Sequence, residues 1–290
     1  MIKLFPEKTS TVFRAENIST LEARPPQNEA FASFALTDAL LLEAGENGSP
    51  AIHIWQTEKP TVILGMMDTK LTHFDAALQF LKEQQHDFFV RNAGGLGIVS
   101  DKGILNFSLS MKNPSSKRLS IEEGYQLAFS FLASALKEVP LHLEVREVPD
   151  SYCPGDFDIL ADGKKIAGLA QRRAQNGLGI MGYLSVNGDQ EKRTQLMKTF
   201  YEIGKSDASN QQRFPDITLA SMGTLSAALN RPITLEEVKE KMFRVLDLDT
   251  NGKVSIPSDS LKVRYQESVD SLLTRNRRML HSSFQEEVFV

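Results

Sequence analysis

The dipeptide Asp162-Gly163 constrains the fold most, because it separates two short runs of strand-forming residues at 157–161 and 164–172. Asp-Gly favours a two-residue turn whose twist matches that of paired antiparallel strands. The sequence therefore predicts a β-hairpin here. Side chains alternate along a strand, so Lys164 shares the apolar face with Ile166, which is expected to pack inward, and Lys165 shares the opposite face with Ala167.

Other runs of apolar residues divide the chain into strands and helices. Strands are predicted at 51–55, 61–65, 87–91, 97–111, 141–148 and 179–186. Helices are predicted after Asn28, with Gly45 as the stop, after Thr72, after the Ser120/Glu123 capping box, at 191–203, at 218–229, after Thr234 and at 258–280. This order predicts an α+β fold, in which a mixed β-sheet is flanked by helices and a helical C-terminal segment follows.

Composition excludes several classes of protein. The 290 residues carry 33 Lys and Arg against 37 Asp and Glu, and the net charge of −4 does not favour nucleic acid as a partner. No apolar stretch approaches the ~20 residues of a membrane span, and the first residues lack the apolar core of a signal peptide. One cysteine and five scattered histidines predict neither a disulfide nor a metal site. A soluble cytoplasmic protein is expected.

The single cysteine, Cys153, is the most informative residue. Pro154 after it disfavours helical geometry, Gly155 follows, and Pro149-Asp150-Ser151 precedes, a pattern typical of an exposed loop. Two lysines follow within a dozen residues, and a nearby cation lowers the pKa of a thiol. A lone cysteine is more commonly a small buried apolar residue, so the two interpretations stay open at this point. Lys165 reaches Cys153 only if the chain doubles back at 154–155.

The glycine-containing segment 92–97 could approach a phosphate closely, because glycine leaves backbone N–H groups accessible. A strand, not a helix, is predicted after it, and no Gly-Lys-Ser/Thr sequence ends it. The segment therefore matches neither the dinucleotide-binding nor the P-loop motif. A tight connection between two strands is the simpler interpretation.

Five segments together resemble the catalytic domain of the lipoate/biotin protein ligase superfamily. Residues 55–70 resemble its opening, 91–95 and 103–108 are similar to its Arg-Arg-x-x-Gly-Gly motif and the following Asn-x-Ser strand, and 163–172 are similar to its Lys-Ile-x-Gly motif. Residues 151–155 resemble the amidotransferase branch, the octanoyl-[glycine cleavage H protein]:protein N-octanoyltransferases. The resemblance covers about residues 28–230. It implies an N-terminal extension at 1–27, a catalytic domain at 28–230 and the helical C-terminal segment at 231–290.

The resemblance also implies roles for individual residues. Cys153 would carry the acyl thioester and Lys165 would hold it as a thiolate, with Lys164 as the alternative if the alignment slips by one. The residues expected to bind substrate are Arg91, Gly94, Gly95, Asn106, Ala167 and Gly168, of which Arg91, Gly94 and Gly95 would line a tunnel for the acylated lysine. Asn92 stands in place of a second arginine and Leu96 in place of a third glycine, which argues against adenylate binding.

The implied reaction moves an octanoyl group from a lysine amide on the glycine cleavage H protein to a lysine on the lipoyl domains of 2-oxoacid dehydrogenase E2 subunits. Exchange of one amide for another requires no ATP, so no cofactor is expected. Three alternatives stay open: an octanoyltransferase that uses acyl carrier protein as donor, an ATP-dependent lipoate ligase, and a non-catalytic module that binds lipoyl domains.

Overall fold

A computed structural model describes residues 28–113, 116, 118–205, 214–245 and 258–284, together with the backbone of the strand Thr11–Arg14. The predicted N-terminal extension lies outside the described residues apart from that strand. The strands are β1 (Thr11–Arg14), β2 (Ala51–Trp55), β3 (Thr61–Leu64), β4 (Asp87–Val90), β5 (Ile98–Ser100), β6 (Ile104–Lys112), β7 (Leu143–Val145), β8 (Ile159–Ala161), β9 (Lys164–Ala174) and β10 (Gly177–Ser185). The helices are α1 (Glu29–Asn47), α2 (Phe74–Glu83), α3 (Ile121–Ala135), α4 (Gln190–Gly204), α5 (Leu225–Ala228), α6 (Leu235–Val245) and α7 (Asp259–Met279).

The described strands form two mixed sheets. The larger sheet has the order β1-β2-β6-β10-β9-β8-β7, and it is antiparallel except where β1 runs parallel to β2. The smaller sheet has the order β4-β3-β5, with β3 parallel to β4 and antiparallel to β5. The predicted α+β class with mixed sheet and flanking helices is confirmed.

The predicted hairpin at Asp162-Gly163 is present as β8 and β9, and both turn residues have positive φ angles, of 51° and 71°. The predicted alternation along β9 is wrong beyond Lys165. The register shifts between Ile159 and Leu160, so that Lys165 pairs with Leu160, Ala167 pairs with Ile159, and Ile166 has no partner across the strands. This irregularity places Ile166 and Ala167 in one hydrophobic cluster, whereas Lys164, at the turn, is exposed.

The first helix begins as predicted, with Asn28 as the N-cap accepting a hydrogen bond from the N–H of Phe31. The predicted stop at Gly45 is wrong, because α1 continues to Asn47 and ends at Gly48 in the left-handed region, with φ of 80°. Gly45 serves close packing instead. A Cβ there would lie 2.6 Å from the backbone nitrogen of Gly177, so only glycine lets α1 and β10 approach this closely.

Two longer predicted elements are divided in the structure. The run 97–111 forms β5 and β6, which belong to different sheets and are separated by a turn in which the N–H of Ile104 donates to the carbonyl of Asp101. The predicted helix at 218–229 is reduced to a 3₁₀ turn at Leu219–Ser221 and the short helix α5, which starts at the N-cap Thr224. Between them, Met222 forms a bridge to Lys165 that interrupts the helix.

Two hydrophobic clusters lie on the two faces of the larger sheet. The first cluster packs α1, α2, α4 and α7 with the smaller sheet, and the second packs α3 and α6 against the opposite face. The C-terminal helices therefore contribute to both clusters. In α7, the buried Asn276 accepts a hydrogen bond from the N–H of Val90 and donates one to its carbonyl, at 2.7 and 3.1 Å. The side chain of Asn276 thus makes the two backbone hydrogen bonds that a neighbouring strand would make with the edge strand β4, at the residue immediately before Arg91.

Among the residues that the structure describes, no helix combines the length and apolar character needed to cross a membrane.

Candidate active site

The chain around Cys153 doubles back before it enters the hairpin. Asp158 donates its N–H to the carbonyl of Gly155 at 3.0 Å, which closes a turn directly after Pro154. Cys153 has a φ of 50°, in the left-handed region that a residue with a Cβ rarely adopts. Strain of this kind persists only where surrounding contacts enforce it, and it concentrates at functional sites. The reversal needed to bring Lys165 to Cys153 is therefore present.

Lys165 supplies those contacts. Its fully buried Nζ donates to the Oγ of Ser151 at 3.1 Å, to the carbonyl of Tyr152 at 3.1 Å and to the carbonyl of Cys153 at 2.7 Å. The ammonium thus bonds three consecutive residues of the strained turn. It meets Cys153 through the main-chain carbonyl.

Asp158 balances the charge of Lys165. Its Oδ1 lies 2.8 Å from the lysine Nζ, and its Oδ2 accepts from the N–H groups of Val148 and Gly155 at 3.1 and 3.2 Å. Burial raises the pKa of this carboxyl, while the Lys165 ammonium and the three hydrogen bonds act to lower it. The ion pair and its backbone donors make a fully hydrogen-bonded polar core beneath the cysteine.

The half-buried Sγ of Cys153 faces the glycine-containing loop between β4 and β5. The N–H of Leu96 points at it from 3.1 Å, and Nη2 of Arg91 lies 4.0 Å away. The same guanidinium donates to the carbonyl of Gly94 at 2.7 Å and to that of Ile63 at 2.9 Å. The buried guanidinium of Arg91 therefore contacts both the loop, at the Gly94 carbonyl, and the sulfur of Cys153.

Gly95 and Gly94 differ in their surroundings. Gly95 has a φ of 91°, and a Cβ there would lie 2.9 Å from Sγ of Cys153 and 2.8 Å from Nη2 of Arg91. Any side chain at position 95 would displace the sulfur, so this position requires glycine. Gly94 is exposed, and no atom lies within 4 Å of where its Cβ would be. Its carbonyl oxygen, not a side-chain surface, takes part in the site.

A second set of hydrogen bonds lies behind the loop. The N–H of Gly97 donates to the hydroxyl oxygen of Tyr201 at 3.1 Å, and that hydroxyl donates to Oδ1 of Asp68 at 2.8 Å. Burial raises the pKa of Asp68 to about 6, against the lowering effects of the Gly65 N–H, the Tyr201 hydroxyl and the Arg91 charge. Asp68 and Tyr201 are buried.

A largely apolar cavity of about 540 Å³, counting its open mouth, lies next to Cys153. It is bounded by α1, the smaller sheet and the strands β2, β6, β9 and β10. Its lining comprises Phe34, Thr37, Trp55, Ile63, Arg91, Ile98, Asn106, Phe107, Ser108, Cys153, Gly168, Leu169, Ala170, Met181, Gly182 and Tyr183. The apolar lining suits an aliphatic chain.

The structure brings most of the predicted site residues together around this cavity. Arg91, Asn106, Cys153 and Gly168 line it, and a Cβ at Gly168 would lie 2.7 Å from the ring of Tyr183 and 3.4 Å from Cε of Lys165. Ala167 does not line it. The irregularity in β9 turns Ala167 to the opposite face of the sheet, where it packs in the second cluster.

Sequence reasoning did not assign roles to Leu96, Tyr201 or Asp68. Leu96 contributes its backbone N–H. Every residue except proline has this group, so the identity of the side chain gives no signal for it. Asp68 is part of the segment 55–70 that carries the resemblance, but nothing local predicts that its carboxylate is buried. His53, one of the five histidines, is buried in β2 with Nδ1 at 3.0 Å from Oγ1 of Thr37, and burial lowers its pKa to about 3.

Residues 29–247 match the lipoyl protein ligase A/B catalytic domain. The chain belongs to this family. It is 33% identical over 255 residues to the octanoyl-[GcvH]:protein N-octanoyltransferase of Oceanobacillus iheyensis, covering 86% of this chain and 90% of that protein. It is 35% identical to the lipoyl-[GcvH]:protein N-lipoyltransferase of Listeria monocytogenes, with 88% of this chain and 92% of that protein covered.

A solved structure is similar in fold at much lower sequence identity. The bi-partite lipoate protein ligase from Thermoplasma acidophilum superposes with a TM-score of 0.66 at 15% identity, covering 96% of this chain and 99% of that chain. The predicted resemblance to lipoate ligases and to the octanoyltransferase branch is confirmed, and the chain is an acyltransferase of protein lipoylation.

Within the described ranges, no group of three or more His, Cys, Asp or Glu side chains is arranged to hold a metal ion.

Proposed function

We propose that this chain transfers an octanoyl group from a lysine amide of the glycine cleavage H protein to a lysine on the lipoyl domains of 2-oxoacid dehydrogenase E2 subunits, through a thioester on Cys153. The observation that carries the proposal is the placement of the Cys153 sulfur on the wall of an apolar cavity, within reach of two hydrogen-bond donors. The names of the relatives from O. iheyensis and L. monocytogenes support the H protein as donor.

The first half-reaction replaces an amide by a thioester. The sulfur attacks the carbonyl carbon of the octanoyl-lysine, the C–N bond breaks, and the proton of the thiol ends on the departing lysine nitrogen. Negative charge develops on the carbonyl oxygen as the tetrahedral intermediate forms. The Leu96 N–H and the Arg91 guanidinium are the donors beside Sγ, and we assign them to this oxyanion.

The second half-reaction reverses the first with a new amine. A neutral acceptor lysine attacks the thioester carbonyl, the C–S bond breaks, and the proton lost by the amine returns to the sulfur. One amide is consumed and one is formed, so the chemistry requires no nucleotide and no cofactor.

Lys165 acts mainly by holding the cysteine. Its ammonium bonds the carbonyls of Tyr152 and Cys153 and so maintains the left-handed backbone that presents Sγ to the loop. Lys164 is exposed, which favours Lys165 as the lysine of the site.

The apolar cavity supplies binding energy for the acyl chain. Each CH₂ group that leaves water contributes about 0.8 kcal/mol, so a chain of eight carbons is held far more tightly than an acetyl group. Gly168 contributes by leaving space for the Tyr183 ring and the Lys165 side chain behind this wall.

The test uses octanoylated H protein, an apo lipoyl domain and the full chain, without nucleotide, and follows all three proteins by intact-mass spectrometry. We expect the octanoyl group on the chain and then on the lipoyl domain, and no transfer with the C153A variant. Full transfer by C153A would overturn the thioester. Charging by octanoyl-acyl carrier protein but not by the H protein would overturn the donor, and strict dependence on ATP would indicate a ligase. No transfer from any donor would overturn the proposed reaction and favour a non-catalytic module that binds lipoyl domains.

A further inference from the structure

The loop that faces the sulfur is held by hydrogen bonds on both of its sides. The adjacent N–H groups of Leu96 and Gly97 point in different directions, one to Sγ of Cys153 and the other to the hydroxyl of Tyr201, each over 3.1 Å. The two groups belong to consecutive peptide planes that meet at the Cα of Leu96, so a bond that holds the second plane limits how far the first can turn.

Asp68 connects this arrangement to the strand before it. One carboxylate oxygen accepts from Tyr201 at 2.8 Å, and the other accepts from the N–H of Gly65 at 2.7 Å. Gly65 in turn lies against the loop, since a Cβ there would come within 1.9 Å of the carbonyl oxygen of Gly95. The carboxylate thus joins α4, the end of β3 and the glycine loop.

Packing between α4 and the loop leaves little freedom for either. A Cβ at Gly97 would lie 2.8 Å from Cε of Met197 and 3.5 Å from Oδ2 of Asp68. The Tyr201 ring packs against Phe200 and Phe214, with ring centroids 5.2 and 5.8 Å away. A phenylalanine at 201 would fill the same apolar space, so the hydroxyl is present for its two hydrogen bonds.

We propose that Tyr201 and Asp68 are positioning residues of the acyl transfer: they hold the loop 94–97 so that the Leu96 N–H faces the Cys153 sulfur and the oxyanion that forms beside it. The inference rests on the proposed function. Neither side chain contacts the sulfur. Both act through the backbone of Gly97 and Leu96, and Arg91 secures the opposite end of the loop through the Gly94 carbonyl.

The variant Y201F tests this directly, with Y265F as its matched control. Tyr265 is buried in the same hydrophobic cluster, on α7, and its hydroxyl lies outside this chain of hydrogen bonds. For Y201F we expect the rate of Cys153 acylation by octanoylated H protein to fall about tenfold, the cost of one lost hydrogen bond in the transition state, with KM within about twofold. Y265F should retain the rate of the unmodified chain.

Alkylation of Cys153 by iodoacetamide gives a second readout that requires no acyl donor. We expect Y201F to change this rate severalfold and Y265F to leave it unchanged, in protein whose circular dichroism spectra match. A purely structural role of Tyr201 would lower the midpoint of unfolding of Y201F and leave its acylation and alkylation rates per folded molecule intact. That result would overturn the proposal.

The variant D68N extends the test if Y201F does not fold. Asparagine keeps the size but offers only one acceptor oxygen, so either Tyr201 or Gly65 loses its bond, and acylation should slow as in Y201F. Unchanged acylation in a folded D68N would again contradict the inference. If the unmodified chain accepts no acyl group at all, the proposed function fails, whereas the alkylation rates still decide whether Tyr201 positions the loop.

Discussion

The ammonium of Lys165 lies 2.7 Å from the main-chain carbonyl oxygen of Cys153, although the two residues are twelve positions apart in the sequence. This bond, with those to Ser151 and Tyr152, ties the strand β9 to the turn that carries the nucleophile proposed here. The lysine therefore contacts the cysteine through its backbone. Loss of the lysine should affect the fold and the chemistry together.

Removal of Lys165 is expected to be strongly destabilising. In K165M the buried Asp158 loses its counterion, and the free energy of unfolding should fall by about 3–5 kcal/mol in urea titrations. The neighbouring variant K164M is the control, because Lys164 is exposed and its loss should cost less than about 0.5 kcal/mol. Equal losses in the two variants would contradict the assignment of Lys165 as the buried partner of Asp158.

The buried carboxyl of Asp68 should make stability depend on pH. Its pKa is raised from 3.8 to about 6 in the folded chain, so the folded state keeps its proton where the unfolded state has lost it. The contribution of this group to stability is complete below about pH 4 and is lost as the pH rises through about 6.

The variant D68N cannot ionise and should not show this loss. Relative to the unmodified chain, its free energy of unfolding should rise by up to about 3 kcal/mol between pH 4 and pH 7 and then stay level. Chemical denaturation at half-unit pH steps measures the difference. Parallel curves for the two proteins would show that Asp68 does not titrate in this range.

Gly95 is expected to tolerate no side chain. In G95A the new Cβ would lie 2.9 Å from the cysteine sulfur at a φ of 91°, so the loop or the sulfur must move. Acylation of Cys153 should fall at least tenfold, measured by intact mass in a single turnover, because the Leu96 donor loses its alignment.

The same substitution at Gly94 provides the comparison. Its Cβ would meet open space, so G94A should leave the free energy of unfolding within about 0.5 kcal/mol, whereas G95A should lower it by more than 1 kcal/mol. A G95A variant as stable as G94A would mean that the loop relaxes freely.

The cavity wall at Ala170 should determine which acyl chains fit. A170L places additional carbon atoms in the space proposed for the acyl chain. Each CH₂ is worth about fourfold in kcat/KM, so the unmodified chain should prefer octanoyl to hexanoyl H protein by roughly fifteenfold, and A170L should prefer hexanoyl. Competition between the two donors, read by mass spectrometry, measures the ratio. An unchanged ratio would place the acyl chain elsewhere.

Much of the local structure followed from residue chemistry. The Asn28 N-cap, the Ser120/Glu123 capping box and the Asp-Gly hairpin are present where predicted, because each depends on hydrogen bonds or φ angles within a few residues. Predictions failed where the local structure depends on contact with a segment that is distant in the sequence. Gly45 does not end α1, since its role is to admit the backbone at Gly177, and nothing near residue 45 reveals that contact.

For the proposed site, the sequence by itself indicated most of the candidate residues. It singled out Cys153 and Lys165, and the family motifs added Arg91, Gly95 and Gly168, because these roles require particular side chains or the absence of one. Only the tertiary structure decided how they meet. The left-handed turn at Cys153, the Leu96 N–H on its sulfur and the Tyr201–Asp68 pair behind the loop all depend on backbone directions set by contacts far apart in the chain. Ala167 lies outside the cavity lining because the pairing of β9 with β8 leaves Ile166 unpaired, which reverses the face to which the side chain of Ala167 points.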